Sequence, residues 1–261
     1  MKSKGLIIFI IIIIVIIILG LIALLCFCLG NGNKLQFGNI VKSKNKIFEQ
    51  EYEANLIRNI QVSSNAGDIE IRKSENDKIK VIAYGENPNK LNIESSSDKL
   101  QVEYKNNGHI FWGFNKYKSE IILYIPSYYE NDINVDIDYG NLAVEDLENA
   151  SINVKEDCGN IKLGKIKNAY VKNDCGNVEV KSITNKVDIR TDCGNIEIQE
   201  IDIKENSKLK CDLGNIAIGS TNDIFIDATV DLGKTNINKN NRQSQIILKV
   251  DVDCGNIDVN N

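Results

Sequence analysis

The side chains best suited to chemistry in this sequence recur together. Asp-Cys-Gly-Asn stands at 157–160, 174–177, 192–195 and 253–256, with variants Asp138-Tyr-Gly-Asn141, Asp212-Leu-Gly-Asn215 and Asp231-Leu-Gly-Lys234. Each full copy offers a carboxylate, a thiol and an amide. On successive turns of a regular structure, Cys158, Cys175 and Cys193 would form a ladder at roughly 5 Å spacing, open to disulfide or soft-metal chemistry. Asp157, Asp174 and Asp192 would stack as like charges that need compensation, either from turn N–H groups or from bridging Ca²⁺. The bland readings are preferred for both. Tyr139, Leu213 and Leu232 share the cysteine slot, and period-two alternation points that slot inward, where a thiol packs as a small hydrophobe. No two cysteines have the Cys-x-x-Cys spacing of a zinc site. The asparagines after glycine would stack as an amide ladder. No cofactor is expected beyond Ca²⁺ on the aspartate column.

The other chemically distinctive segment is Gly108–Tyr117, the one aromatic cluster of the polar body. If it projects, Phe111, Trp112, Phe114 and Tyr117 make a contact tip for lipid, peptide or protein. If it folds back, they seal the end of a core. His109 is the only histidine and makes no case for a catalytic base.

The elements that must position these groups follow from the spacing. Gly140, Gly159, Gly176, Gly194, Gly214, Gly233 and Gly255 are separated by 19, 17, 18, 20, 19 and 22 residues. An earlier copy, Asn65-Ala-Gly-Asp68, exchanges acid and amide across its glycine. Alternating β-branched residues flank each corner, as in Val187, Ile189 and Thr191 before Gly194 and Ile196 and Ile198 after it. That pattern predicts half-buried strands on both sides of a glycine turn. The fold class is therefore all-β. A single-chain β-solenoid, with two short strands per 17–22-residue coil, is expected over 138–261. Residues 47–137 read as an antiparallel cap layer and 31–46 as a polar tether.

Before the tether, residues 6–29 form 24 nearly unbroken apolar positions, about 36 Å of helix and enough to cross a bilayer. The run is longer than a signal-peptide core, and no small-x-small cleavage site follows it. Leu25 and Phe27, before Cys26 and Cys28, are too large for a typical lipoprotein cleavage site. One uncleaved transmembrane helix over 1–30 is expected, holding the chain in the cell membrane as a single-pass protein. Lys2 and Lys4 favour an inside amino terminus and an extracytoplasmic domain, although Lys34, Lys42, Lys44 and Lys46 pull the other way. Five cysteines beyond the span cannot all pair within one chain, which pulls mildly toward a reducing compartment. Two of the 31 basic residues precede position 31, leaving 29 against 36 acidic residues. An acidic body without a basic stripe argues against nucleic acid as a partner.

The pattern resembles the bacterial candidate-adhesin family, whose β-solenoid is also called the toastrack domain. The resemblance is carried by Ile60-Gln-Val-Ser-Ser-Asn-Ala-Gly-Asp-Ile-Glu-Ile71, by Ile121-Ile-Leu-Tyr-Ile-Pro126 and by the repeats from Asp138. Most corners here read Cys-Gly-Asn-Ile where the family usually has Ser-Gly-Asp-Ile. The resemblance implies a membrane-associated envelope protein, with relatives linked to envelope stress and antimicrobial-peptide responses, and brings no enzymatic role or functional residue. The expected function is a non-catalytic, membrane-anchored module for interaction, adhesion or stress sensing. Its partner would be an envelope protein, peptide or surface ligand. The alternative is a self-assembling scaffold similar to bactofilins, since an uncovered coil at Asn260-Asn261 would template edge pairing. A β-helical lyase needs long decorating loops that these short corners lack.

Overall fold

The computed structural model describes residues 41–42, 45–105 and 117–260. The anchor expected over 1–30 lies outside the described residues, as do Phe111, Trp112 and Phe114. Among the described residues no helix is long and apolar enough to cross a membrane. The chain is all-β. The first strands are β1 (Val41–Lys42), β2 (Lys46–Glu53), β3 (Asn59–Ser64), β4 (Gly67–Lys73) and β5 (Lys78–Tyr84). A 3-10 turn, Pro88–Lys90, precedes β6 (Leu91–Ser95), β7 (Lys99–Tyr104) and β8 (Tyr117–Ile125). The repeats supply β9 (Asp132–Tyr139), β10 (Leu142–Val144), β11 (Leu147–Cys158), β12 (Ile161–Cys175), β13 (Val178–Cys193) and β14 (Ile196–Ile201). The last are β15 (Ser207–Leu213), β16 (Ile216–Thr221), β17 (Phe225–Ile237) and β18 (Ile247–Val259).

Successive coils stack in parallel register. The strands before each glycine pair as β3, β9, β11, β12, β13 and β15. The segments after it pair as β4, β10, β12, β13, β14 and β16. Alternation explains the core: Ile152, Ile161, Ile166, Val178, Val187, Ile189 and Ile196 point inward and are fully buried. Each such side chain contributes roughly 1.5–3 kcal/mol relative to exposure. Their neighbours along the strand are charged or polar and face solvent, so one sequence period builds both core and surface.

Three expectations are corrected by the pairing. The tether expected to 46 ends sooner, because Val41 and Lys42 pair with β8 and Lys46 already opens β2. The cap over 47–137 is mixed rather than antiparallel. β2–β5, β5–β8 and β6–β7 are antiparallel, but β3–β7, β3–β9, β4–β8 and β4–β10 are parallel. Stacking thus begins at Asn59, and the exchanged copy at Gly67 is the first true corner. Finally, the coils do not stack in sequence order. β18 pairs with β15 and β16 on one side and with β17 on the other. Among the described strands β17 is therefore the outer one at this end of the stack, and the coil before Asn260 is covered by it. Apolar payload accounts for the exchange: Leu248, Val250, Val252, Ile257 and Val259 of β18 are all buried. In β17, Ile226 is buried but Ala228, Val230 and Ile237 pack only partly against the core, and the register sets Ala228 and Thr235 opposite the larger Val250 and Ile257 of β18. The richer repeat takes the inner position.

Candidate functional site

The repeated corner is built by two backbone devices. In the glycine column, a Cβ on Gly159 would stand 1.5 Å from the Gly140 carbonyl oxygen, and one on Gly176 would stand 1.6 Å from that of Gly159. Gly176, Gly194, Gly214, Gly233 and Gly255 also hold φ between +146° and +152°, where a side chain is strained. Beside it runs the expected amide ladder. The Asn160 N–H donates to Asn141 Oδ1 at 3.2 Å, Asn177 to Asn160 at 3.1 Å, Asn195 to Asn177 at 3.0 Å and Asn215 to Asn195 at 2.9 Å. It continues where the Asn256 N–H donates to Asn215 Oδ1 at 3.0 Å and ends where the Lys234 N–H donates to Asn256 Oδ1 at 3.1 Å. At its head, Asp68 Oδ1 accepts from the Asn141 N–H at 2.9 Å. The acid–amide exchange at Asn65–Asp68 therefore puts an acceptor where the first rung needs only to accept.

The cysteine slot faces outward, correcting the core reading. Cys158, Cys175, Cys193 and Cys254 are exposed, as are Tyr139, Leu213 and Leu232 in the same slot. Inward alternation reaches Glu156, Asn173 and Thr191, and the chain then turns before the cysteine can follow it. Cys158 pairs in register with Cys175, and Cys175 with Cys193. Cys211 occupies the inward position before the corner, where burial pushes its thiol up to about 12. Glu156, Asn173, Thr191 and Cys211 thus form a buried polar column in place of the thiols expected there.

Asp157, Asp174 and Asp192 do lie on consecutive coils, each half-buried. Compensation comes from a column that the sequence reading missed. Lys155, Lys172, Arg190 and Lys210, each two residues before a column aspartate, are themselves in register. Lys172 pairs with Asp174 at 3.3 Å, and Arg190 reaches Asp192 at 3.1 Å and Asp212 at 3.3 Å. Lys210 pairs with Asp212 at 2.9 Å and Asp253 at 3.7 Å. A hydrogen bond from Lys210 holds the Asp212 carboxyl below the usual range. At the head of the column the preceding position is Asp136 rather than a base. There partial burial, then Asp157 and Asp136, push Asp138 up. The signal was legible as a base two residues before the corner aspartate in four consecutive copies. At Asp174, Asp192 and Asp212 the like-charge repulsion that motivated Ca²⁺ is thus met by side chains. Among the described residues no group of three or more His, Cys, Asp and Glu could hold a metal ion.

Two open depressions lie on the stack. One, of about 680 Å³, is lined by Gln61, Ser63, Asn134, Asp136, Lys155, Lys172 and Arg190 among others. The other, of about 570 Å³, is lined by residues including Lys73, Asp146, Lys162, Lys181 and Glu197. Of the expected aromatic tip only Tyr117 falls in a described element, as the first residue of β8.

No curated protein matches the chain. Among solved structures, similarity extends to a candidate cell adhesion protein of Clostridium sporogenes at 13% identity, covering 83% of this chain and 99% of that one, with a TM-score of 0.36. A candidate adhesin of Parabacteroides merdae is 11% identical, with coverage of 84% and 98% and a TM-score of 0.40. A candidate lipid-binding protein of Parabacteroides distasonis is 14% identical, again with coverage of 84% and 98% and a TM-score of 0.39. The family model described as Toastrack DUF4097 matches residues 57–261, from the first stacked strand to the last, so the chain belongs to that family.

Proposed function

We propose that this protein is a membrane-anchored, non-catalytic interaction module of the bacterial cell envelope, with its stacked domain outside the cytoplasm. The observation that carries the interaction role is the regular outer face: columns of Lys, Arg, Asp and Asn at fixed spacing, beside an open depression lined by Lys155, Lys172 and Arg190 together with Val135, Val154 and Val171. Such a face suits an extended polar ligand, peptide or glycan, contacted at many weak points. Anchoring rests on the apolar residues 6–29, and adhesion or stress sensing is the use consistent with the family. The test is protease shaving of intact cells carrying a carboxy-terminal epitope tag, with lysed cells as control. Loss of the tag before lysis is expected. Survival until lysis would move the domain to the cytoplasm and overturn the envelope-facing role.

A second reading, a self-assembling scaffold, is favoured by one observation: β17 pairs only with β18 among the described strands. Its outer edge nevertheless carries devices against pairing. Lys234 replaces the asparagine that would continue the ladder. Asn240 covers the edge by accepting from the Ile226 N–H at 2.9 Å and donating to its carbonyl at 2.8 Å. Concentration-dependent filaments would support the scaffold, and a strict monomer at high concentration would sink it.

A further inference from the structure

We propose that Cys158, Cys175 and Cys193 form a surface thiol–disulfide relay that is reversibly oxidised by low-molecular-weight disulfides. All three are exposed and occupy the same corner of three consecutive coils. Neighbouring parallel strands lie about 4.8 Å apart, inside the roughly 4.4–6.8 Å range of Cα separations that a disulfide bridges. Each thiol faces the next directly across the strand pair, Cys158 in register with Cys175 and Cys175 in register with Cys193.

The chemistry needs an oxidant of the form R–S–S–R. One cysteine loses its proton and its thiolate attacks a sulfur of R–S–S–R, forming a mixed disulfide and expelling RS⁻. The neighbouring thiolate then attacks the protein sulfur, closing a bond between coils and expelling the second RS⁻. Two cysteines lose two electrons in total, and one R–S–S–R becomes two RSH with the released protons. The column adds a property that an ordinary cysteine pair lacks. With Cys158 and Cys175 joined, Cys193 stands on the next coil, in register with Cys175 and placed to attack its sulfur by thiol–disulfide exchange. Attack on Cys175 frees Cys158 and moves the bond one coil along. Cys175 belongs to both linkages. Partial burial, the adjacent thiol and the Asp carboxylates hold Cys175 and Cys193 above the usual thiol range, so oxidation should accelerate as pH rises.

The same fold supplies the control. Cys254 shares the slot and is exposed, but its register neighbours are Leu213 and Leu232. It can take up a mixed disulfide and cannot resolve it. The test oxidises the full chain in detergent with glutathione disulfide, blocks free thiols and maps tryptic peptides without reduction. Cleavage after Lys155, Lys162, Lys172, Lys181, Arg190, Lys204 and Lys249 places each thiol on its own peptide: 156–162, 173–181, 191–204 and 250–261. The expected result is linked 156–162/173–181 and 173–181/191–204 pairs, with Cys254 recovered as the glutathione adduct. Cys175→Ser should abolish both linkages and leave adducts on Cys158 and Cys193. Cys158→Ser should keep the second linkage. The slot already tolerates Tyr and Leu, so circular dichroism should report an unchanged fold for both variants. Adducts on all three cysteines at the level of Cys254 without linked peptides, a single linkage in the unaltered chain, or a Cys158–Cys193 bond in Cys175→Ser would each overturn the relay.

Discussion

The middle coils and the final pair share a corner motif and use it differently. From β9 to β15, sequence order and spatial order agree, and each corner repeats the glycine contact and the asparagine bond, with the base–acid pairing added from Lys172 onward. At β17 and β18 the corner geometry persists, with Gly233 and Gly255 both at φ +152°, but the order is exchanged. The difference separates two kinds of information. Corner chemistry specifies that coils stack and in what register. Among the asparagine corners it does not specify which coil stacks on which, because each offers the same bonds. Lys234 donates its N–H to Asn256 but has no amide oxygen to accept the next rung, which suits its coil to the end of the ladder. The apolar residues between corners act in the same direction, since β17 carries the smaller load.

The comparison is broken most severely at glycine. A Cβ at Gly176 or Gly233 would stand 1.6 Å from a backbone oxygen of the adjoining coil. Gly176 is clamped by coils on both sides, whereas Gly233 sits on an outer coil free to shift away. Gly176→Ala should cost more than about 3 kcal/mol or abolish cooperative unfolding. Gly233→Ala should cost about 1–2 kcal/mol, the scale of backbone strain that can relax. Equal losses in denaturant titrations would show that the outer coil is held as rigidly as the centre.

Stack order is sharpened by Leu213→Cys. In the observed register position 213 faces Cys193 on one side and Cys254 on the other. Stacking in sequence order would instead set it against Leu232. Oxidation should link 213 to 193 or 254, and the 213–254 bond, closing a 41-residue separation, should stabilise by up to about 4 kcal/mol. A 213 thiol that links only to 193 would argue for sequence-order stacking.

That exchange marks the limit of what the sequence could tell. Glycine spacing and alternation were enough to predict strands, corners and the asparagine ladder, because those depend on residues within one coil and its identical neighbour. The outward cysteine was not legible. Alternation extrapolates inward through Thr191 to Cys193, while the turn that reverses it is a backbone event set by Gly194 and the Gly176 carbonyl behind it. The basic column was present in plain letters. It acquires meaning only when Lys155, Lys172, Arg190 and Lys210 are known to be neighbours in space.

The charged column sets a smaller contrast, between its head and its foot. Asp212 lies against Lys210 and Arg190, and its carboxyl is held below the ordinary value of 3.8. Its stabilisation is present above the unfolded value and is lost as pH falls through the lower folded one. Asp138 is pushed up, so it disfavours the fold at neutral pH and is relieved as pH falls through its raised value. Asp212→Asn should therefore lower stability at pH 7, and Asp138→Asn should raise it, each by less than about 1 kcal/mol. The Asp212→Asn difference should shrink below pH 4. The same sign for both substitutions at pH 7 would mean that the neighbouring charges do not govern the column.

The smallest expected effect is that of calcium. Seven stacked aspartates look like a cation channel when read alone, but a divalent ion at Asp174 or Asp192 would have to displace Lys172 or Arg190 from contacts at 3.3 and 3.1 Å. The ion would also lose much of its own hydration, with few further oxygens to replace it. The melting temperature should be the same in millimolar Ca²⁺ and in EDTA. The informative variant is Lys172→Gln/Arg190→Gln, which strips the compensation from the middle of the column. If calcium then raises the melting temperature, the bases are what keep it out; if it still does not, the aspartates lack the geometry for the ion whatever stands beside them.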